Sequence, residues 1–159
     1  MITRGFCLKS VRPDHIVGAI SYLHRGGQSC LARDLEGLPL RTGNIAFLLH
    51  LYRCEGESQD ELARALGYDK ATAARACQAL EEEGFVRRLR DPDDRRRTRL
   101  YLTEVGHEVR RTALNAVEGL NETLLAGMDE EERKEAARLL GLMVYNLEQT
   151  RTLRGERNE

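Results

Sequence analysis

The reactive and charged side chains of this sequence of 159 residues are most concentrated in a basic segment beyond its midpoint. Residues 87–99 contain seven arginines and three aspartates, in a chain whose formal net charge is -1. Because a guanidinium can form paired hydrogen bonds with phosphates and base edges, such a segment suits a polyanionic partner. A solvated charged loop is the alternative, and composition alone does not decide between them.

The thiol and imidazole groups do not form a recognisable metal or disulfide pattern. The four cysteines, Cys7, Cys30, Cys54 and Cys77, include no CxxC pair. His50 and Cys54 are spaced so that they would share one face of a helix, but zinc needs at least three protein ligands. We therefore expect these side chains to pack in the core, and we expect no metal and no cofactor.

Catalytic and membrane-spanning patterns are also missing from the sequence. It contains no Gly-rich phosphate loop, no Gly-x-Ser-x-Gly and no His-Glu-x-x-His, and its four histidines are scattered. A composition of 41% hydrophobic and 32% charged residues fits one soluble domain, and no apolar run is long enough to cross a bilayer. We expect a cytoplasmic protein that is not an enzyme and has no membrane partner.

Local sequence signals near the basic segment predict a helix-turn-helix. Ser58 and Glu61 have the spacing of a capping box, and Gly67 would end the short helix that they begin. Asp69 would cap a second helix that runs to residue 83. The outward face of this second helix is small, polar and basic, so it could enter a major groove, with plain solvent exposure as the alternative.

Two short strands are expected directly after the helix-turn-helix. Residues 85–89 and 98–102 have the composition of strands, and an Asp- and Arg-rich loop joins them. Such a hairpin would form a wing whose arginines reach a minor groove. The aspartates would fit this role if one of them held a neighbouring arginine in position through a charge-assisted hydrogen bond.

Further helices are expected on both sides of the winged motif. A helix over residues 42–53 is apolar on two sides and would be sandwiched inside the structure. A first helix after Pro13, a long helix over residues 104–126 capped by Thr103, and a last helix capped by Asp129 carry more apolar surface than a winged helix can bury. A two-fold dimer would cover this surface, and an intramolecular bundle is the alternative.

The wing and its flank resemble a known family. Asp94-Arg95-Arg96 followed by Leu102-Thr103-Glu104-Val105-Gly106 is similar to the Asp-x-Arg … Leu-Thr-x-x-Gly signature of the multiple antibiotic resistance regulator (MarR) family. Residues 58–83 resemble its recognition region, and Leu38-Pro39-Leu40 resembles its usual lead-in. The resemblance covers roughly residues 12–150. It implies a mainly α fold with a two- or three-stranded β-wing, in a triangular homodimer.

The sequence therefore predicts one MarR-like domain over residues 1–159, with dimerisation helices at 12–36 and 104–152 around a winged helix-turn-helix at 42–103. We expect a dimeric regulator that binds a pseudo-palindromic operator in double-stranded DNA, a repressor released by a small effector. A thiol-based redox regulator and a protein-interaction module without an operator are the alternatives. The expected DNA contacts are Ser58, Gln59, Lys70, Ala71, Thr72, Arg75, Gln78, Asp94, Arg95, Arg96 and Arg97.

An effector site is expected between the dimer helices and the winged helix. The family resemblance implies a pocket there for an aromatic acid or another small amphipathic molecule. Tyr22, Arg25 and His50 are the candidates, because a cation beside two polar-tipped rings suits a carboxylate on an apolar floor. The redox alternative would use the thiol of Cys7 or Cys30.

Overall fold

Helices dominate the part of the chain that the computed structural model describes, residues 15–94 and 97–153. A short 3-10 turn, Thr42–Asn44, leads into the second helix. The predicted mainly α fold with a two- or three-stranded wing is confirmed, and the sheet of the wing has two strands. In chain order the elements are α1 (Ile16–Asp34), α2 (Ile45–Leu51), α3 (Gln59–Leu66), α4 (Lys70–Glu82), β1 (Val86–Arg90), β2 (Thr98–Leu102), α5 (Glu104–Glu108), α6 (Arg110–Leu124) and α7 (Glu130–Leu153).

Helix α2 lies at the centre of the core, as its two apolar faces predict. Phe47, Leu48 and Leu51 are almost completely buried, and α2 contacts α3, α4, α6 and β2. Burying one such side chain contributes about 1.5–3 kcal/mol to the free energy of unfolding. The elements of the winged helix are therefore held in place by one short apolar helix.

The two helices of the helix-turn-helix begin and end where local sequence signals place them. The Ser58 hydroxyl accepts a hydrogen bond from the Glu61 amide (3.3 Å), and the Glu61 carboxylate accepts one from the Ser58 amide (2.7 Å). Gly67 ends α3 with a φ of 70°, a left-handed conformation that glycine adopts readily. The fully buried Ala63 lets α3 pack closely against α4.

The long helix predicted over residues 104–126 is wrong in one respect, because it is interrupted at Val109. The Tyr52 hydroxyl donates a hydrogen bond to the Gly106 carbonyl (2.9 Å). In a continuous helix that oxygen would accept from the amide of Arg110. The residue that follows α2 therefore contacts the last full turn before the interruption between α5 and α6.

The Leu-Thr-x-x-Gly motif forms a tight junction between the sheet and α5. The Thr103 hydroxyl accepts from the Gly106 amide (3.0 Å), which caps α5, and donates to the Gly84 carbonyl (2.6 Å). A Cβ added at Gly106 would lie 2.2 Å from the carbonyl oxygen of Phe85. The glycine is therefore required by close backbone approach and not by its φ.

The cysteines differ in their environments. Cys77 is buried in the core, and this burial raises the pKa of its thiol to about 11, which makes it a poor nucleophile. Cys30 is half-buried on α1, and Cys7 lies outside the described residues. The expectation that Cys54 packs in the core is wrong, because Cys54 is exposed in the turn that follows α2.

The two terminal helices of the described chain leave apolar side chains in solvent. Val17 and Leu23 of α1 are exposed, as are Leu140, Val144 and Leu147 of α7. Because they are exposed, these apolar faces lack a partner within the described part of one chain.

None of the helices within residues 15–94 and 97–153 has the length and apolar character that crossing a membrane requires.

We expect Gly106→Ala to lower the free energy of unfolding by about 1–3 kcal/mol, because the added methyl group must push against the backbone of Phe85. Urea denaturation followed by circular dichroism measures this change. Gly43→Ala is the matched control, since a Cβ there meets nothing within 4 Å, and it should change stability by less than about 0.5 kcal/mol. Equal effects of the two substitutions would contradict the role given to Gly106.

Candidate nucleic-acid interface

Helix α4 presents one buried and one exposed face, as its periodicity predicts. Ala73, Ala76, Cys77 and Leu80 are buried against the core. The opposite face is made of small, polar and basic side chains. Lys70, Ala71, Arg75 and Gln78 are exposed on it, with Thr72 and Ala74 half-buried beside them. No bulky apolar residue lies on this face of α4, so it offers a surface for a polar partner.

A chain of hydrogen bonds organises the first turns of this face. The Asp69 carboxylate accepts from the Thr72 amide (2.8 Å) and from the Thr72 hydroxyl (2.7 Å), and these bonds hold the pKa of Asp69 below its usual value. The Thr72 hydroxyl in turn accepts from the guanidinium of Arg75 (3.0 Å). Thr72 therefore positions Arg75, which was not evident from the sequence.

The wing is a short hairpin with arginines on its outer surface. Val86 pairs with Leu102 at one end, and Arg90 pairs with Thr98 at the other. Leu100 and Leu102 are buried, whereas Arg87, Arg88 and Arg90 are exposed. Arg88 also pairs with Glu81 of α4 (2.9 Å), so one ion pair joins the wing to the end of that helix.

Asp91 is the buried polar residue at the base of the wing loop, and only 4% of its side chain is exposed. Its carboxylate accepts from the Asp93 amide (2.9 Å) and from the guanidinium of Arg99 (2.6 Å). The Asp93 amide and Arg99 hold the pKa of Asp91 below its usual value. The sequence predicted that one of the aspartates holds a neighbouring arginine. Asp94 lies 3.4 Å from Arg97, and the pair of Asp91 with Arg99 was not singled out by the sequence.

Arg99 connects this aspartate to the segment before α3. Its guanidinium donates to the Gly56 carbonyl (2.8 Å) as well as to Asp91. The Gly56 amide donates to the Leu100 carbonyl and the Leu100 amide donates to the Glu57 carbonyl, both at 2.9 Å. The segment before α3 therefore lies along β2 as a further edge of the wing, and the wing is fixed relative to the helix-turn-helix.

A cleft of about 390 Å³ separates the start of α3 from the wing. It brings together three of the predicted DNA contacts, Ser58, Gln59 and Arg97. Arg64 and Arg88 also line it and were not among the predicted contacts. The predicted contacts Arg95 and Arg96 lie outside the described residues.

The three predicted effector residues lie in different surroundings within the described part of the chain. Tyr22 and Arg25 are exposed on α1, whereas His50 lines a cavity of about 540 Å³ between α2 and α6. Leu49, Leu66 and Leu114 give this cavity an apolar wall. The imidazole Nε2 of His50 donates a hydrogen bond to the Glu57 carboxylate (2.9 Å).

Tyr52 and Arg110 line the same cavity and were missed by the sequence reasoning. The Arg110 guanidinium lies 5.4 Å from the centre of the Tyr52 ring. Burial raises the pKa of Tyr52 to about 12, so the phenol stays protonated at neutral pH and donates to Gly106. These two residues lie 58 positions apart in sequence, and only the packing of α6 against α2 brings them together.

Replacing Asp91 by Asn should destabilise the protein near neutral pH, and the deficit should shrink in acid. The pKa of Asp91 is lower in the folded state than in the unfolded state, where it is about 4. The contribution of Asp91 to the free energy of unfolding is therefore fully present above the unfolded pKa and is lost as the pH falls through the folded pKa. Urea denaturation at pH 7 and pH 3 tests this. Asp93→Asn removes the same charge from an exposed side chain and serves as the control; a deficit independent of pH would contradict the assignment.

Comparisons with known proteins agree with this geometry. A family model described as the MarR family matches residues 43–98. YybA of Bacillus subtilis, an uncharacterized helix-turn-helix (HTH-type) transcriptional regulator, is 30% identical over 133 residues, which is 84% of this chain and 89% of that protein. The crystal structure of a MarR transcriptional regulator from Methanosarcina mazei Go1 is similar with a TM-score of 0.78 and 36% identity, over 86% of this chain and 99% of that one.

A further solved structure shares the fold at lower sequence identity. A MarR-family protein of Listeria monocytogenes, solved as a complex with a 26-mer DNA, has a TM-score of 0.80 and 22% identity, over 90% of this chain and 95% of that one. The relatives are described as transcriptional regulators. The resemblance found in the wing motif is thus confirmed, and this chain belongs to the MarR family of winged helix-turn-helix transcriptional regulators.

Proposed function

We propose that this protein is a homodimeric repressor that binds a pseudo-palindromic operator and leaves it when a small organic acid binds. The main support is the exposed basic face of α4, on which Arg75 is braced by Thr72, beside an arginine-rich wing. A protein-interaction face would instead show aromatic or leucine anchors. The exposed face of α4 has none.

The DNA interface has two parts with different tasks. The outward face of α4 would enter the major groove, where Arg75 can reach base edges and Lys70, in the first helical turn, can contact phosphate. The wing, with Arg97 exposed where its loop joins β2, would follow the DNA backbone into the adjacent minor groove. The Listeria protein of the same fold was solved with a 26-mer DNA, which supports DNA as the partner.

The exposed apolar faces of α1 and α7 support a dimer. Val144 and Leu147 of α7 are more than 60% exposed in the single chain, and α7 has no buried residue among those whose burial is described. A contiguous apolar surface of this kind marks an association site. A two-fold dimer through both ends of the chain would cover it and place two recognition helices about 10 base pairs apart.

The cavity between α2 and α6 is suited to an anionic amphipathic effector. Arg53 and Arg110 supply positive charge, the Tyr52 phenol supplies a polar edge, and leucines supply the apolar wall. A volume of about 540 Å³ is within the range of small-molecule sites. A ligand here would contact both α2, in the core of the winged helix, and α6, which continues towards the proposed dimer surface.

Binding to DNA from upstream of the protein's own gene, measured by fluorescence anisotropy, tests the DNA part of the proposal. Arg75→Ala should cost about 1–3 kcal/mol on this DNA and little on random duplex, because it removes a base contact. Lys70→Ala should weaken binding to both duplexes and reduce the salt slope by about one, as expected for a phosphate contact. Equal losses of affinity on both duplexes for Arg75→Ala would show that Arg75 contacts the DNA phosphate backbone and not a base.

The dimer is tested by placing a charge on the apolar face of α7. Leu140→Asp should give a monomer in light scattering at micromolar concentration and should abolish specific DNA binding, because a buried unpaired carboxylate opposes association. Glu135→Asp alters a charged side chain of the same helix and should leave the dimer intact. A wild-type protein that is monomeric at this concentration would contradict the proposal.

Effector release is tested by adding benzoate to the protein–DNA complex. We expect benzoate to release wild-type protein from its DNA and Arg110→Ala to need at least tenfold more, since the cavity loses the cation that pairs with the carboxylate. Arg25→Ala, on exposed α1, tests the site expected from the sequence and should respond as wild type. If Arg25→Ala is the variant that loses the response, the α2–α6 cavity is not the effector site.

A further inference from the structure

Three potential metal ligands meet in the connection between α2 and α3. His50 lies in the last turn of α2, Cys54 lies in the turn that follows, and Glu57 directly precedes the residue that caps α3. One ligand atom from each, an imidazole nitrogen, a sulfur and a carboxylate oxygen, lie within 4.8 Å of one another. The sequence suggested only the first two, because Glu57 reaches them through a turn and not along a helix.

We propose that His50, Cys54 and Glu57 bind a divalent transition-metal ion of the zinc type. Imidazole, thiolate and carboxylate are the side chains that zinc takes, at bond lengths of about 2.0–2.3 Å. Tetrahedral coordination at these lengths needs ligand atoms about 3.3–3.6 Å apart. The three atoms lie within 4.8 Å of one another, and His50 Nε2 and Glu57 Oε2 are 2.9 Å apart. Side-chain rotations would have to adjust these distances to the spacing that the ion requires.

The positions of the three side chains suit an ion that exchanges with solvent. Cys54 is exposed, and the side chains of His50 and Glu57 are 19% and 29% exposed. Three protein ligands leave a fourth position for water, which is the arrangement of open zinc sites. The hydrogen bond between His50 Nε2 and Glu57 Oε2, 2.9 Å long, would be replaced by two bonds to the ion.

The ion would connect the end of α2 to the wing. The carbonyl of Glu57 accepts from the Leu100 amide of β2, and its neighbour Gly56 accepts from Arg99. An ion bound to Glu57 and His50 would therefore tie this edge of the wing to the core helix. Metal binding should stabilise the folded state, because the three ligands are brought together only by folding. This inference does not rest on the proposed function.

Cobalt(II) titration of the full-length, metal-stripped protein tests the site. We expect one cobalt ion per chain, with the thiolate-to-cobalt absorption of a sulfur ligand, and displacement of cobalt by Zn²⁺. Cys54→Ser should lose that absorption, and His50→Gln and Glu57→Gln should weaken binding at least tenfold. Cys7→Ser and Cys30→Ser are controls for the other thiols and should bind as wild type.

Thermal unfolding is a second measurement of metal binding, and it also shows whether each variant is folded. Zn²⁺ should raise the melting temperature of the wild type and of Cys30→Ser but not that of Cys54→Ser. Glu57→Gln keeps the shape of the side chain, so a folded variant is available even if Cys54→Ser unfolds. Thiolate absorption that persists in Cys54→Ser, or cobalt affinity unchanged in Glu57→Gln and His50→Gln, would overturn the proposal.

Discussion

The ion pair between Asp91 and Arg99 is the interaction on which the proposed DNA-binding surface depends. Asp91 is buried and fixes the wing loop through the Asp93 amide, while Arg99 reaches from β2 to the Gly56 carbonyl before α3. A buried carboxylate that lost its cation would be strongly destabilising. The pair therefore joins the wing loop and β2 to the segment before α3.

Helix α2 connects the regions to which functions are assigned. Its core side chains hold α3 and α4, its Tyr52 end contacts α5 and lines the cavity beside α6, and its His50 lies in the proposed metal site. A ligand in the cavity and an ion in the turn would therefore both act on the same short helix. The two proposed sites remain separable by variants, since Arg110 lines only the cavity and Cys54 belongs only to the metal cluster.

Sequence reasoning succeeded where the determining interactions are local. The capping box at Ser58, the glycine that ends α3 and the buried face of α4 all follow from residues within a few positions of one another. It failed where the chain folds back on itself. Asp91 and Arg99 are brought together by the wing hairpin, Arg110 is brought to Tyr52 by helix packing, and Glu57 joins His50 through a turn. The spacing of these residues in the sequence does not predict such contacts.

A double-mutant cycle on Asp91 and Arg99, read out as affinity for the upstream DNA, tests the central claim most directly. If the pair fixes the wing for DNA binding, Asp91→Ala and Arg99→Ala should each weaken binding, and the double variant should be little worse than either single variant. This holds although Asp91→Ala removes a negative charge near DNA. Additive losses, or tighter binding by Asp91→Ala, would show that the two residues act independently and would contradict the account.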